Sequence, residues 1–481
     1  MSDQIAFQTR PDYRLGNNSF LVWLLGALFV SLFVLEFLVE DLHALPSVVT
    51  WVPELLSGIA TLVVIFELGK APTLPLRPAY LGLFVAYLAI VVTGWVLNEA
   101  SFGTVIAGAR FYFKFTPFFL LMVLVSVDSQ ALDRLWKLLT VLLCLQLPII
   151  LIQKYALGLP PDRVSGSLLV GSSGAFILIS GVALVFSKYL AKVIAGLPAL
   201  ALCILFFFPT TLNETKGTIV LLPICVLVAF LALPKQNRLR RFSLLKLSLV
   251  FAFTVFVFNS VYLLTVAEEF GVDESGNYNR TLGGFVTNPR EKLLTYLYAG
   301  DAGHVNANAL LEGDRSRVFG VVEDVGITKS RTRRIDAVLL PFHLFEERPF
   351  QLALGLGSGN TMVFSSEFLT GEYSLIPEFI GVQLTFSTLM LETGLIGVMA
   401  FLAFLGLVGV DSFRLARSSS KRNYLGSWWL GVTVIYFLSM FYKDFIAFNA
   451  ISYLFWLFSG LIAREAYLAR NRGRGGRFVT P

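Results

Sequence analysis

Twelve long apolar segments alternate with shorter polar ones along this chain. Most of them reach the roughly 18 residues that indicate a membrane-crossing helix. The pattern therefore predicts an all-α integral membrane protein with about 12 transmembrane helices. The predicted spans are 20–39, 50–67, 79–97, 103–126, 135–153, 167–187, 193–210, 217–233, 244–265, 382–409, 427–442 and 446–463.

A long polar interruption between the ninth and tenth segments divides the chain. Residues 1–265 hold predicted helices 1–9, residues 266–381 form one large loop, residues 382–463 hold helices 10–12, and residues 464–481 form a basic tail. The chain has no polar interruption of similar length elsewhere. We expect this loop to be the main structure outside the bilayer.

The second part of the loop has a helical pattern. Ile335, Val338, Leu339 and Phe342 recur at nearly helical spacing. They predict an amphipathic helix that begins at Arg334 and ends before the sequence Glu-Glu-Arg-Pro. Such a helix, lying on the membrane or on the bundle with arginines at its start, suits an anionic substrate at the interface.

The positions of Lys and Arg predict the orientation. If the spans alternate, one set of loops and termini holds 22 of these residues, whereas the short loops of the other set hold four. Positive residues are retained on the cytoplasmic side, so both termini are predicted to be cytoplasmic and the large loop external. The four on the external side are Lys154, Arg163, Lys216 and Lys443.

Composition narrows the function classes. The chain is 56% hydrophobic and only 15% charged, against about 25% charged residues in soluble domains. Its positive charge reflects membrane topology, so the lipid bilayer is a predicted partner and nucleic acid is not. Neither a nucleotide-binding loop nor a metal-ligand motif is present, so no cofactor and no metal site are predicted. The few Cys and His residues are Cys144, Cys203, Cys225, His43, His304 and His343.

Several cationic residues and one glycine-rich turn are the candidate binding groups. Arg333 and Arg334 begin the predicted loop helix, and Gly355 and Gly357 shape a turn whose amides can contact an anion. Lys216 stands at the external mouth of a predicted span, where it either binds an anion or extends to the interface. Arg110 and Lys114 lie one turn apart in an apolar segment. They either line an internal anion cavity or mark a surface helix.

The order of these motifs resembles the O-antigen polymerase and O-antigen ligase superfamily of membrane glycan transferases. RTRRIDAVLLPFHLFEERPFQLALGLGSGN gives an arginine at a helix start and a G-x-G turn about twenty residues later. LTFSTLMLETGLIGVMAFLAFLGLVG then matches a helix of the form x-L-x-E-x-G-L-x-G. GSLLVGSSGAFILI and NETKGTIVLLPI resemble two other helix starts of the family. About twelve spans with a late external loop is the family layout as well.

The resemblance implies a metal-independent glycosyltransferase that polymerises polyprenyl-diphosphate-linked oligosaccharide units on the external face of the inner membrane. Its product is a surface polysaccharide or exopolysaccharide, and a chain-length regulator is a further partner. Arg334, Arg333 and Lys216 are then implied to meet the diphosphate charge. Arg163 and Arg348, each followed eleven residues later by glycine, fit a substrate-binding pattern of polymerases.

Two alternatives remain open at the level of the sequence. In ligases a histidine precedes the E-x-G motif by about ten residues, but Gln383 occupies that place here and can only donate and accept hydrogen bonds. The general base is left open among Glu378, Asp336 and Glu392. A lipid-linked sugar transporter is the non-enzyme alternative, although the predicted spans hold few deep carboxylates and the large loop breaks the symmetry between the two halves.

Overall fold

The computed structural model describes residues 18–70, 74–159, 164–168, 171–212, 217–234, 334–363, 367–374, 376 and 383–475. Every regular element within these ranges is a helix, and they contain no strand. The predicted all-α class is therefore confirmed for the described chain.

Fifteen α-helices are present in the described ranges, numbered here in chain order. The first ten are α1 (Asn18–Val30), α2 (Val52–Lys70), α3 (Pro78–Leu97), α4 (Phe102–Phe113), α5 (Thr116–Leu124), α6 (Ser129–Cys144), α7 (Gln146–Leu151), α8 (Gly171–Leu190), α9 (Gly196–Leu212) and α10 (Thr218–Ala232). The others are α11 (Arg334–Leu344), α12 (Pro349–Leu354), α13 (Thr385–Arg417), α14 (Asn423–Ser439) and α15 (Asn449–Gly475). Short π-helical segments continue α1 to Asp41 and α7 to Ala156.

Six helical segments in the described chain are long and apolar enough to cross a membrane, or seven if one bent pair counts as a single span. The six are Ser19–Asp41, Ser47–Lys70, Pro78–Leu97, Ser129–Ala156, Ser172–Leu190 and Thr385–Arg417. This is the composition of a membrane-embedded protein, but it gives fewer full-length spans than the twelve predicted. Helices α9, α10 and α14 are apolar yet only 15 to 17 residues long. The predicted span at 244–265 lies outside the described residues.

The predicted span at 103–126 is wrong as a single helix. It consists of α4 and α5, which meet at an angle of 42°. Pro117 lies in the first turn of α5. Because proline has no N–H and clashes with the preceding turn, a continuous helix through residues 113–117 would be disfavoured. Helix α15 continues without a break to Gly475, so the described part of the predicted basic tail is helical.

Helix–helix contacts define two ends of the bundle. At the end where α11 and α12 pack, called the loop end, Lys154 contacts the Leu212 carbonyl and Lys114 contacts Asn449. At the opposite end, called the basic end, Arg77 pairs with Asp411 at 3.0 Å. The alternation predicted from charge places Lys154 and Leu212 on one side, and Arg77 and Asp411 on the other.

Small residues allow the central helices to approach closely. Gly431 of α14 lies against the Cys225 carbonyl of α10, where a Cβ would stand only 2.6 Å from the oxygen. Gly460 of α15 lies in the same way against the carbonyl of Phe119 in α5, and a Cβ there would overlap it. Such backbone contacts are typical of helices that pack in an apolar environment, where burial of apolar surface contributes little.

The described part of the large loop packs on the bundle. Helix α11 occupies Arg334–Leu344 within the predicted amphipathic segment, and the Ser387 hydroxyl of α13 donates to the Ala337 carbonyl at 2.6 Å. The Phe342 and Phe386 rings stack beside this bond, with centroids 6.2 Å apart. The start of α11 is therefore held at the loop end of the bundle.

Candidate functional site

Arg334 is half-buried at the loop end, against the connection between α14 and α15. Its Nε donates to the Tyr442 carbonyl at 3.3 Å, and its guanidinium carbon lies 4.2 Å from the centroid of the Tyr442 ring. A planar guanidinium can stack on a ring through its face and hydrogen-bond through its edge. This orientation suits arginine as a ligand for phosphate oxygens.

The beginning of helix α10 reaches the same tyrosine. A Cβ built on Gly217, the residue before Thr218, would lie 3.6 Å from Cζ of Tyr442. Helix N-termini carry partial positive charge and free N–H groups, and they attract anions. Arg334 and the N-terminus of α10 therefore meet at one aromatic ring. Lys216, which precedes Gly217 in the chain, and Arg333 lie outside the described residues.

Two further cationic side chains lie at this end of the bundle. Lys443 follows Tyr442, and its Nζ lies 5.9 Å from the centroid of the Phe448 ring. Lys154 donates to the Leu212 carbonyl, at the end of α9, over 3.3 Å. Together with Arg334 they bring three of the described cations to the loop end.

A buried network fixes the connection that carries Tyr442. The Asp444 carboxylate accepts hydrogen bonds from Thr388 at 2.9 Å and Thr385 at 3.3 Å, and from the Ile446 N–H at 3.2 Å. Burial raises the pKa of Asp444 above its ordinary value, and these hydrogen bonds oppose the rise. Because its oxygens are already engaged, Asp444 supports the connection and is a poor candidate for a proton acceptor.

Gln383 is exposed at the loop end, two residues before α13 begins. The Thr385 N–H donates to the Lys443 carbonyl at 3.3 Å, so the chain next to Gln383 lies against the same connection. The position that ligases give to histidine is thus near Lys443 in space. Its amide can orient a polar substrate but cannot carry a proton at neutral pH.

Arg110 and Lys114 form an ion-pair cluster with Glu54. Both contact the same oxygen, Glu54 Oε1, at 3.3 and 3.2 Å, and Lys114 also donates to Asn449 at 2.6 Å. The Lys114 side chain is 13% exposed and that of Arg110 is 42% exposed. In this arrangement the cluster ties α2, α4 and α15 together, and the Glu54 carboxylate already provides its anion.

The GLGSGN turn is inserted between α3, α4 and α13. The N–H of Gly355 donates to Gln351, and the N–H of Gly357 donates to the Glu392 carbonyl at 3.1 Å. Neither amide is therefore free to bind phosphate in this arrangement. Gly357 lies against Gly94 of α3, and Gly359 lies against Gly108 of α4. Glycine at these positions permits close backbone contact, and the turn thus has a packing role.

The Glu392 carboxylate fastens this turn. It accepts from the Gly359 N–H at 3.0 Å, from the Thr361 hydroxyl at 2.9 Å and from the Tyr112 hydroxyl at 2.9 Å. Glu392 is 1% exposed. A carboxylate that is this enclosed and this fully hydrogen-bonded holds structure together, and it has no access to an acceptor hydroxyl.

The remaining predicted residues are Arg348, Arg163, Glu378 and Asp336. Arg348 is half-buried at the N-cap position of α12, where its side chain makes no capping hydrogen bond. Arg163 and Glu378 lie outside the described residues, as does the side chain of Asp336. The general base consequently stays open between Glu378 and Asp336.

Sequence reasoning missed Tyr442, Thr218 and Glu54. Tyr442 and Lys443 belong to a short polar interruption between two apolar runs, which is a weak signal for a site. The pairing of Glu54 with Lys114 joins residues 60 positions apart, and nothing in the spacing indicates it. No family model matches this sequence, and no curated protein matches it either.

Proposed function

We propose that the protein polymerises oligosaccharide units carried on polyprenyl diphosphate, and that the diphosphate of the donor binds between Arg334 and the N-terminus of α10. One observation carries the proposal: Arg334 stacks on Tyr442, and Gly217, which precedes α10, lies so near the same ring that a Cβ built on it would be 3.6 Å from Cζ. A fixed guanidinium and a helix N-terminus are two devices that stabilise diphosphate charge without a metal. Lys216 and Arg333, adjacent in sequence to Gly217 and Arg334, add positive charge.

An apolar groove supports a lipid-linked substrate. It lies between α3, α4, α13 and α15, is partly open, and its lining includes Tyr87, Phe401, Phe404, Ile446 and Trp456. Ile446 lies four residues after Tyr442 in the connection between α14 and α15. We assign the groove to the polyprenyl chain, because it is apolar and begins at the connection that also carries the anion site.

The chemistry is a displacement at the anomeric carbon. An acceptor hydroxyl attacks that carbon, the bond to the diphosphate oxygen breaks, and the proton of the hydroxyl passes to a carboxylate. Arg334 and the α10 N-terminus stabilise the charge that develops on the leaving diphosphate. Arg333 and Lys216 assist, and Arg348 and Arg163 are assigned to the saccharide chain. A ligase reaction would use the same donor site and differ only in the acceptor.

Replacement of Arg334 tests the proposal. Arg334→Ala should lower polymer formation by about 10²–10³-fold, which corresponds to roughly 3–4 kcal/mol of transition-state stabilisation. Arg334→Lys should restore only part of it, because an ammonium cannot form the two parallel bonds of a guanidinium. The measurement is polysaccharide chain length and amount in cells that lack the native copy, normalised to the protein in the membrane.

Arg417 provides a matched control at the basic end. Its guanidinium also donates to a backbone carbonyl, that of Leu231 at 3.2 Å, and lies 5.0 Å from the centroid of the Phe413 ring. Arg417→Ala should leave polymer formation intact. Normal polymer from Arg334→Ala at normal abundance would refute the donor site. Single units transferred to a lipid or protein acceptor would instead identify a ligase, and movement of intact lipid-linked saccharide without new bonds would identify a transporter.

A further inference from the structure

Three hydroxyl groups at the loop ends of α8, α10 and α14 have no hydrogen-bond partner in the described structure. They belong to Ser172, Thr218 and Ser439. Thr218 and Ser439 are fully buried, and the oxygen atom of each of the three is closed to solvent. Most buried hydroxyls in proteins are hydrogen-bonded, so a group of unpaired ones indicates a place where another molecule supplies the partners.

The packing of α10 against α14 brings two of these hydroxyls together. The two helices run antiparallel and are in backbone contact at Cys225 and Gly431. Thr218 lies seven residues, or about two helical turns, closer to the loop end than Cys225. On α14, Leu438 is the same number of residues from Gly431, and Ser439 follows it. Residues seven apart lie on the same face of a helix, so Thr218 faces α14 as Cys225 does.

The contact of α8 with α14 adds the third hydroxyl. Phe176 of α8 packs on Tyr436 of α14, with ring centroids 6.0 Å apart. Ser172 lies about one helical turn closer to the loop end than Phe176, and Ser439 lies about one turn closer than Tyr436. The three hydroxyls therefore lie at about the same level of the bundle, in three helices that pack on one another. They are called the hydroxyl cluster below.

The hydroxyl cluster adjoins the proposed anion site. Ser439 accepts, through its carbonyl, a hydrogen bond from the Tyr442 N–H at 2.9 Å, and Tyr442 is the residue on which Arg334 stacks. Thr218 follows Gly217, which contacts the Tyr442 ring. An uncharged group that both donates and accepts hydrogen bonds therefore lies next to a cationic one, which matches the order of sugar and diphosphate in the substrate.

We infer that the hydroxyl cluster binds the sugar residue attached to the donor diphosphate. The inference rests on the proposed function, since it extends the same site. The hydroxyls of a sugar can donate to and accept from all three side chains at once. Binding requires the loop ends of the three helices to separate, because the oxygen atoms are enclosed. The cluster thereby selects donors that carry a sugar over the bare diphosphate lipid that the reaction releases.

Binding to four probes tests this assignment. They are farnesyl diphosphate and farnesyl diphosphate bearing glucose, galactose or an N-acetylhexosamine, each titrated against the full-length protein in detergent. At least one sugar-bearing probe should bind about tenfold or more tightly than farnesyl diphosphate, as expected for one or two added hydrogen bonds. In the double variant Ser172→Ala/Ser439→Ala this advantage should vanish, while affinity for farnesyl diphosphate stays unchanged. The thermal unfolding temperature of the double variant should rise, because two unpaired buried hydroxyls are removed.

Ser412 is the matched control. It is fully buried in α13 at the basic end, and its hydroxyl also lacks a partner in the described structure. Ser412→Ala should raise the unfolding temperature and leave all four affinities unchanged. The inference is overturned if the double variant keeps the sugar advantage, or if the wild type prefers none of the three sugars. Arg334→Ala tells the two proposals apart: it should weaken all four probes, and unchanged farnesyl diphosphate binding would refute the anion site itself.

Discussion

At the scale of single residues, the structure distinguishes side chains that stabilise the fold from side chains that can bind a ligand. Glu392 and Arg334 belong to adjacent motifs in the sequence and are both typical of a functional site. In the structure, Glu392 has three hydrogen-bond donors and is enclosed, whereas Arg334 lies half-buried with its guanidinium stacked on Tyr442. Glu392 is therefore a structural residue, whereas the position of Arg334 at the loop end is the basis of its proposed role.

Replacing Glu392 should cost much of the stability of the loop end. Glu392→Ala leaves the Gly359 N–H and the hydroxyls of Thr361 and Tyr112 buried without an acceptor. Each such group costs about 1–3 kcal/mol, so we expect a total loss of roughly 3 kcal/mol or more. The measurement is thermal unfolding of the purified full-length variant in detergent.

Tyr112→Phe is a milder change to the same hydrogen-bond network. It removes one donor from a carboxylate that keeps two others, so its cost should be only about 1 kcal/mol. The interpretation of Glu392 as a structural tie predicts this order of the two variants. Equal unfolding temperatures for Glu392→Ala, Tyr112→Phe and the wild type would show that the carboxylate does not hold the turn.

The structural role of Glu392 could not be predicted from the sequence. The G-x-G turn and the E-x-G motif are each visible as patterns, but their contact spans 33 residues and its third partner, Tyr112, lies 280 residues from Glu392. Such a contact depends on how α4 and α13 pack, which periodicity does not encode. The presence of helix α11 was predictable, because a local apolar pattern encodes it.

At the scale of elements, helix α13 is interrupted where the loop docks. Gly394 has a left-handed backbone, with φ of 63°, inside an otherwise continuous helix of 33 residues. Its backbone lies against Ala353 and Gly355, so that a Cβ would overlap the Ala353 carbonyl. The break therefore forms the surface on which the GLGSGN turn sits.

Gly394→Ala should release the turn from α13. A side chain there meets both the cost of a left-handed conformation, about 1–2 kcal/mol, and overlap with Ala353. We expect a lower unfolding temperature and faster proteolytic cleavage between residues 355 and 363. Both are measured on the purified protein in detergent.

Gly406 supplies the control within the same helix. A Cβ there has no atom within 4 Å, so Gly406→Ala should be neutral or stabilising by up to about 1 kcal/mol, because alanine favours helix. Equal unfolding temperatures and cleavage rates for Gly394→Ala and Gly406→Ala would show that the break at Gly394 does not hold the GLGSGN turn in place.

At the scale of the whole molecule, the apolar pattern predicted the helices more successfully than their lengths. It located α2, α3 and α8 because each is one uninterrupted apolar run. It merged α4 and α5, because Pro117 lies within a run whose hydropathy stays high on both sides. The pattern also could not show that Lys114 pairs with Glu54, since a charge in an apolar segment indicates a partner without naming it.

The predicted membrane orientation of the protein can be tested at the two ends of the bundle. The predicted alternation of spans rests on 22 Lys and Arg residues on one side against four in the short loops of the other. The contact of Lys154 with the Leu212 carbonyl joins two helix ends that this alternation assigns to the external side, and the Arg77–Asp411 pair joins two that it assigns to the cytoplasm. We therefore predict that the loop end is external and the basic end cytoplasmic.

Single cysteines at the two ends measure that orientation. Glu347, exposed after α11, and Ser419, exposed after α13, are replaced in separate variants by cysteine. In cells with an intact inner membrane, a membrane-impermeant maleimide should label Glu347→Cys, whereas Ser419→Cys should react only after lysis. The unaltered chain gives the background from Cys144, Cys203 and Cys225, which are partly or fully buried. Labelling of Ser419→Cys in intact cells would place Arg334 in the cytoplasm, and a site for externally presented lipid-linked sugars would then be untenable.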